Sequence, residues 1–216
     1  MEQAATRMQQ IEALLQRLKT AGGEDIPPLW AQLEELWEGH AHDFHILLEQ
    51  ARTDPLTGLG NRRDFEEELL ANWSQFRRHS TPLTLALLDV DNLKQMNADG
   101  GHLNGDAALK AFAGTIRGVV RQSDRVFRYG GDEFVILMPH TQTAGGLKAV
   151  ERIVQSTRHL SVDCQTPGLT SPTVSIGLSE IRATDTEPHQ VFQRADAALR
   201  AAKQQGKDRI VTFAEG

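Results

Sequence analysis

Apolar positions along the chain follow two rhythms, and the change between them comes near Thr53. Before it, Ala4, Met8, Ile11, Leu15 and Leu18 recur at alternating steps of four and three. After a break at Ala21-Gly-Gly-Glu-Asp-Ile-Pro-Pro28, Trp30, Leu33, Trp37, His40, Phe44, Leu47 and Ala51 do the same. Both are a/d-type seams, which predict two amphipathic helices joined by a Gly/Pro loop. They could form a helical hairpin packed on itself or a dimerising stalk. From Thr53 onward helical and strand patterns alternate. Helices are predicted from Arg62 to about Arg78, Asp106 to Arg121, Gly145 to His159 and Gln190 to Gln205. Strands are predicted at Leu83–Val90, Thr173–Glu180 and Arg209–Phe213. Between Arg125 and Met138, β-branched and aromatic residues flank Gly130-Gly131, a hairpin signal. The expected fold class is α/β (α+β): a mixed sheet with helices on its faces, behind an N-terminal helical segment. The predicted domains are 1–52 and 53–216.

Composition narrows the setting. The 216 residues carry net charge −6, 39% hydrophobic residues and one cysteine, Cys164. That hydrophobic content suffices for a core, and no apolar run is long enough to cross a membrane. The N-terminus lacks the basic and apolar regions of a signal peptide. One cysteine cannot form an intrachain disulfide, so a reducing cytoplasm is the expected location. An acidic chain with no basic cluster argues against a nucleic-acid surface.

Chemistry concentrates where the strands end. Asp132 and Glu133 start the second hairpin strand beside glycines that permit close approach. Asp89-Val-Asp91 ends the Leu83 strand, and if that strand neighbours the hairpin its carboxylates meet those of Asp132 and Glu133. Converging carboxylates repel unless cations neutralise them, so a Mg²⁺ site is a natural resolution. A solvated hairpin and a helix-capping aspartate are the plain alternatives. Lys94 could hold a phosphate as a point charge. Asn97 and Asp106 could read a purine, the carboxylate accepting from guanine N1 and N2; Asp106 could equally be an N-cap. Lys203 and Lys207 could bind further phosphate oxygens or simply face a helix dipole.

The order and spacing of these segments resemble the GGDEF domain, the diguanylate cyclase family, over residues 53–213. The resemblance rests on Asp54-Pro-Leu-Thr-Gly-Leu-Gly-Asn-Arg62, Asp89-Val-Asp91, Asn97 through Gly101-His102 to Gly105-Asp106, Tyr129-Gly-Gly-Asp-Glu-Phe134, and Arg194-Ala-Asp196 with Lys203. It implies a palm-like, nucleotidyl-cyclase-like fold that condenses two GTP into cyclic di-GMP and two pyrophosphates. By the same resemblance Asp89, Asp132 and the Val90 carbonyl bind Mg²⁺, for which Mn²⁺ can substitute. Asn97 and Asp106 would select guanine. Lys94, Lys203 and Lys207 would hold the triphosphate, assisted by the N–H groups of Asn92 and Leu93, while Gly130 and Gly131 leave room. Asp132, Glu133 or metal-bound water would take the proton of the ribose 3′-hydroxyl. Each domain would hold one GTP, so the active unit is expected to be a homodimer, and the N-terminal helices then read as a dimerising stalk.

Arg121-Gln-Ser-Asp124 matches the family's Arg-x-x-Asp inhibitory site, and Arg152 stands where a second inhibitory arginine is common. Cyclic di-GMP is therefore expected as feedback inhibitor as well as product. A catalytically silent cyclic di-GMP receptor or GTP-binding module is the alternative. Departures from the pattern are Asp132 where many members have Glu, Lys207 for a usual Arg, Arg200 for a common Tyr and Gly100 for a common aromatic. None removes a metal ligand. His40, His42 and His45 cluster in the second helix, where a metal or pH sensor competes with ordinary surface or half-buried roles.

Overall fold

A computed structural model describes residues 2–160 and 172–213, without the side chains of 2–5, 7, 40, 42–51, 99 and 100. Cys164 and the side chains of His40, His42 and His45 lie outside the described residues. The chain divides into two compact units, Met1–Ala51 and Arg52–Gly216.

In the first unit, α1 (Glu2–Thr20) and α2 (Ile26–Arg52) form the two expected helices. Pro27 and Pro28 sit in the first turn of α2, where a missing N–H costs no helical hydrogen bond. Ile11, Leu14 and Leu29 are buried. The seam itself is only partly used: Leu15, Trp30 and Trp37 stay exposed, the tryptophans by 52% and 58%. With Ile11, Leu33, Glu34 and Glu38 these three line an apolar groove of about 390 Å³. The indole N–H of Trp30 donates to Glu34 Oε1 at 3.0 Å.

The second unit contains β1 (Gly60–Asn61), α3 (Arg62–His79), β2 (Leu83–Val90), α4 (Leu93–Gly100), α5 (His102–Val119), β3 (Arg125–Arg128), β4 (Glu133–Pro139), α6 (Thr143–Arg158), β5 (Val174–Glu180), α7 (His189–Gln204) and β6 (Ile210–Thr212). Six strands form one mixed sheet in the order β1-β3-β4-β2-β5-β6. β2 is central and pairs antiparallel with β4 and β5, while β1–β3 and β5–β6 are parallel. All eight residues of β2 are buried, which explains its unbroken apolar run. Its alternation divides the core. Ala86, Leu88 and Val90 pack with Phe112, Ile116, Val150 and Ile153 on one face, and Leu83, Leu85 and Leu87 with Phe65, Leu69, Val191 and Leu199 on the other. Each fully buried leucine contributes about 1.5–3 kcal/mol.

Three local readings differ from expectation. The segment before Gly101 forms α4, a short helix that Gly101 (φ 77°) separates from α5. Helix α5 starts at His102 rather than Asp106, so Asp106 lies a turn inside it and is no N-cap. Gly130 and Gly131 do not adopt left-handed backbone, so the hairpin turn uses them for space, with Gly131 facing open surroundings.

The turn leading into the sheet depends on Asp54. Its carboxylate accepts from Thr57 N–H (2.9 Å) and Oγ1 (2.6 Å) and from Arg128 Nη1 (3.1 and 3.2 Å). Burial pushes this carboxyl up, but the Thr57 and Arg128 interactions outweigh it and hold it below the usual range. A depressed native pKa contributes stability above the unfolded value and loses it as pH falls through the folded one. Asp54→Asn is therefore expected to cost about 2 kcal/mol at neutral pH. The gap to wild type should narrow in urea unfolding as the pH is lowered below the ordinary carboxylate range; a constant gap would show that charge is irrelevant there.

Candidate functional site

The β2–β4 pairing places Asp89 opposite Glu133, and Val90 N–H donates to the carbonyl of Asp132 at 3.1 Å. The end of the central strand and the start of the hairpin strand thus bring Asp89 and Asp132 to one cleft. It measures about 340 Å³ and is lined by Asp89 through Gln95, Asp132, Lys203 and Lys207. Asn92, Leu93 and Lys94 open α4 at its rim, with Asn92 in left-handed backbone at φ 61°. Gln95 is a wall residue that the sequence did not single out.

Lys203 reaches across from α7, its Nζ 2.6 Å from Asp89 Oδ2. Burial lifts the Asp89 carboxyl above its ordinary range; Lys203 opposes this, and the charges of Asp132 and Glu133 reinforce it. Asp89 therefore sits under a demand for positive charge that one ammonium only partly meets. Lys207 Nζ donates to Asn92 Oδ1 at 2.7 Å. Asp91, which strand alternation would set beside Asp89, instead turns inward beyond the strand's end. It accepts from Thr173 Oγ1 (2.8 Å), Ser175 Oγ (2.7 Å) and Asp208 N–H (3.1 Å). It braces the cleft, with both carboxylate oxygens engaged by the protein itself.

The donor set suits a hard cation. Among the described residues no three His, Cys, Asp or Glu side chains converge as a self-sufficient metal cage. Two carboxylates with a backbone carbonyl are the kind of partial shell that Mg²⁺ accepts when substrate phosphates and water complete it.

A second feature lies between α4 and α5. Asn97 Oδ1 is buried without a hydrogen-bond partner. A buried carbonyl oxygen left unpaired is costly, so it marks a place where a ligand donor fits. A Cβ on Gly105 would stand 2.0 Å from that oxygen, so the glycine is what leaves room for the amide. Gly105→Ala must turn the Asn97 side chain aside. Because only a flexible side chain has to move, the expected result is an unchanged melting temperature with nucleotide affinity reduced about tenfold, roughly one lost hydrogen bond to a buried group. Titration with GTP would check it, and unchanged affinity would detach Asn97 from the nucleotide.

Arg128 was not legible as a site residue. Its Nη2 and Nε donate to the Gly131 carbonyl (2.8 and 3.3 Å) while Nη1 holds Asp54, so it pins the glycine turn to the fold. Tyr129 packs on Phe65 and Phe192, with the Arg62 guanidinium 4.7 Å from its ring centre. Glu133 begins β4, and its carbonyl accepts from Tyr129 and Gly130 N–H.

Away from the cleft, Asp124 Oδ2 accepts from Arg121 N–H at 2.9 Å, closing the turn between α5 and β3. Arg152 on α6 donates to the Val119 carbonyl at 2.8 Å, which brings it beside that turn. Arg200 pairs with Asp196 on the surface of α7.

Residues 51–209 match the family model described as diguanylate cyclase, GGDEF domain. Diguanylate cyclase DgcP of Pseudomonas aeruginosa is 40% identical over 177 residues, 80% of this chain and 26% of DgcP. The chain spans between 26% and 55% of the first three curated relatives it matches. The crystal structure of diguanylate cyclase SiaD from P. aeruginosa, in complex with its activator SiaC, aligns with TM-score 0.73 and 35% identity. That alignment covers 98% of this chain and 77% of SiaD. The coiled coil and GGDEF domain of DgcB from Caulobacter crescentus, in complex with c-di-GMP, aligns with TM-score 0.80 and 29% identity over 85% of this chain and 96% of that one.

Proposed function

Because the chain belongs to the GGDEF family of diguanylate cyclases, we propose that it condenses two GTP molecules into cyclic di-GMP and two pyrophosphates across a homodimer. The observation that carries this reading is the single cleft in which Asp89 and Asp132 meet Lys203 and Lys207. A silent nucleotide receptor has no use for two carboxylates at the mouths of adjoining strands.

Asp89, Asp132 and the Val90 carbonyl would hold Mg²⁺, or Mn²⁺ in its place. When bound, the ion lowers the pKa of the ribose 3′-hydroxyl and offsets charge on the triphosphate. Lys94, Lys203 and Lys207 hold the triphosphate with the N–H groups of Asn92 and Leu93. Asn97 Oδ1 accepts from guanine, and the Asp106 carboxylate accepts from guanine N1 and N2. Gly130 and Gly131 let the nucleotide approach the backbone, and Arg128 keeps that turn in place. Asp132 and Glu133 are the acids assigned to take up the proton of the 3′-hydroxyl. The 3′-oxygen bonds to the α-phosphorus of the other GTP as the bond to the β-phosphate oxygen breaks. Two such displacements close the ring and release two pyrophosphates.

One GTP per domain makes a facing pair obligatory. The N-terminal unit supports this role, because its apolar groove around Trp30 and Trp37 offers a surface for a second chain. Joining two domains this way raises their effective concentration for each other. SiaD, which aligns along nearly this whole chain, is crystallised with an activator, so control of pairing through these helices is part of the proposal. A cytoplasmic location also belongs to it.

Arg121, Asp124 and Arg152 form the site for product feedback. Arg121→Ala is expected to raise the inhibition constant for cyclic di-GMP at least tenfold, roughly one charge-assisted contact, with the initial rate retained. Progress curves at increasing product would check it, and an unaltered constant would remove the site from this turn.

The primary test is chromatography of GTP incubated with protein and Mg²⁺, with an EDTA control. A metal-dependent cyclic di-GMP peak is expected. No peak from a dimer stripped of bound cyclic di-GMP would sink the cyclase reading and leave a receptor.

A further inference from the structure

Three consecutive residues after α7 take left-handed backbone: Gly206 (φ 112°), Lys207 (φ 63°) and Asp208 (φ 45°). Glycine does this freely and aspartate more readily than most residues, but lysine does not, and such strain persists only where surrounding contacts over-determine it. The contacts are on hand. Lys207 N–H donates to the Ala202 carbonyl at 3.1 Å, and Asp208 N–H donates to the buried Asp91 carboxylate. From the last turn of α6, Arg158 grips the same residue. Its Nε lies 3.2 and 3.0 Å from the two Asp208 carboxylate oxygens, its Nη2 2.9 Å from Oδ2, and Nη2 also donates to the Asp208 carbonyl at 3.3 Å.

Stability alone does not account for this grip. The Arg158 side chain is 50% exposed and that of Asp208 34%, and solvent-screened pairs of this kind contribute little to folding. Its fork geometry is the informative part, since a guanidinium that holds both carboxylate oxygens and the carbonyl of one residue fixes that residue's orientation. The residue immediately before it is Lys207, whose ammonium points to Asn92 on the rim of the cleft.

We propose that Arg158 is a positioning residue for GTP: it locks the strained Lys207–Asp208 turn through Asp208 and so aims the Lys207 ammonium at the triphosphate. The inference rests on the cyclase reading above and adds a residue, Arg158, which sits on α6 outside the cleft. A flexible lysine on a loosened turn keeps its charge but spends it over many orientations. Losing the grip should therefore weaken ground-state binding more than the chemical step.

The test compares wild type, Arg158→Ala, Lys207→Ala and the double variant of the full chain with GTP and Mg²⁺. Arg158→Ala is expected to raise KM for GTP about three- to tenfold with kcat within about twofold, the pattern of lost uniform binding. Its thermal midpoint should match wild type. In the Lys207→Ala background the same substitution should change KM no further, because the group it aims is gone. Arg158→Lys, which cannot make the fork, should resemble the alanine variant. Multiplying effects in the double variant, a KM unchanged by Arg158→Ala, or a fall confined to kcat would each overturn the assignment. Wild type that neither turns over nor binds GTP, followed by calorimetry, would instead overturn the cyclase reading, and this inference with it.

Discussion

Asp132→Asn is expected to cut cyclic di-GMP formation about a thousandfold, an effect of the size seen when a key electrostatic contact to a reacting phosphate is removed. The substitution replaces one carboxylate oxygen by an amide nitrogen, which a hard cation does not accept as a ligand. The fold should not register it. What ties Asp132 to β2 is its backbone carbonyl, accepting from Val90 N–H, and that bond survives the change. The Arg128 clamp acts on the preceding carbonyl, that of Gly131, and survives as well. Wild-type melting with near-absent turnover is the expected pair of results. Undiminished product formation would take Asp132 out of the metal shell and leave Asp89 as the only anchoring carboxylate.

The same cleft explains why two lysines alone are insufficient. Asp89 is buried, and burial raises its pKa even with Lys203 at hydrogen-bond distance. A buried carboxylate next to two more acids favours added positive charge, and an incoming triphosphate adds negative charge to the same space. A divalent ion would meet both demands, so the proposed cyclase should lose turnover and nucleotide binding together when EDTA is added. Arg158 and Asp91 stand behind this arrangement: one grips the Lys207–Asp208 turn from α6, the other holds Asp208 N–H from beneath.

How much of this was legible in sequence depended on the range of the interaction. β2 announced itself because a strand buried on both faces must be apolar throughout, and its predicted bounds, Leu83–Val90, are those observed. Helical periodicity placed α3, α6 and α7 within a few residues, since caps blur only the ends. α4 escaped because eight residues give barely two turns of period, and two-residue β1 has no pattern at all. Asp89, Asp132 and Lys203, which the structure brings to one cleft, were singled out by residue type and order. Arg128 and Arg158 were not, and Asp91 was singled out as a second carboxylate beside Asp89 rather than as the buried brace it forms. The partners of Arg128, Asp91 and Arg158 lie 74 residues away at Asp54, 84 at Ser175 and 50 at Asp208. Only the completed sheet brings such pairs together. The exposed tryptophans teach the converse: Trp30 and Trp37 keep strict seam spacing, yet the unit leaves them uncovered.

Gly177→Ala is expected to be the most destabilising single-methyl change in the second unit. Glycine-to-alanine changes in unstrained backbone usually gain about 0.4–1 kcal/mol by restricting the unfolded chain. Gly177 has ordinary strand backbone, so that gain applies here too. Against it stands the approach of α7 to β5. A Cβ at this position would lie 2.0 Å from the Ala195 carbonyl oxygen and 2.3 Å from the Leu199 nitrogen. Both are helix backbone atoms and cannot rotate aside, so α7 has to lift from the sheet as a unit. That breaks the packing of Ala195 and Leu199 against Leu85, Leu87 and Phe65. Overpacking of this kind costs about 3 kcal/mol, which exceeds the entropic gain and sets the sign. The same displacement carries Lys203 away from Asp89, since the lysine rides one turn beyond Leu199 on the same helix. Urea unfolding should therefore show a lower midpoint, and folded protein at low temperature should still turn over GTP poorly. A variant with the wild-type midpoint would mean that α7 can slide past the methyl, and Lys203 would then owe its place to its own contact with Asp89 rather than to the helix seat.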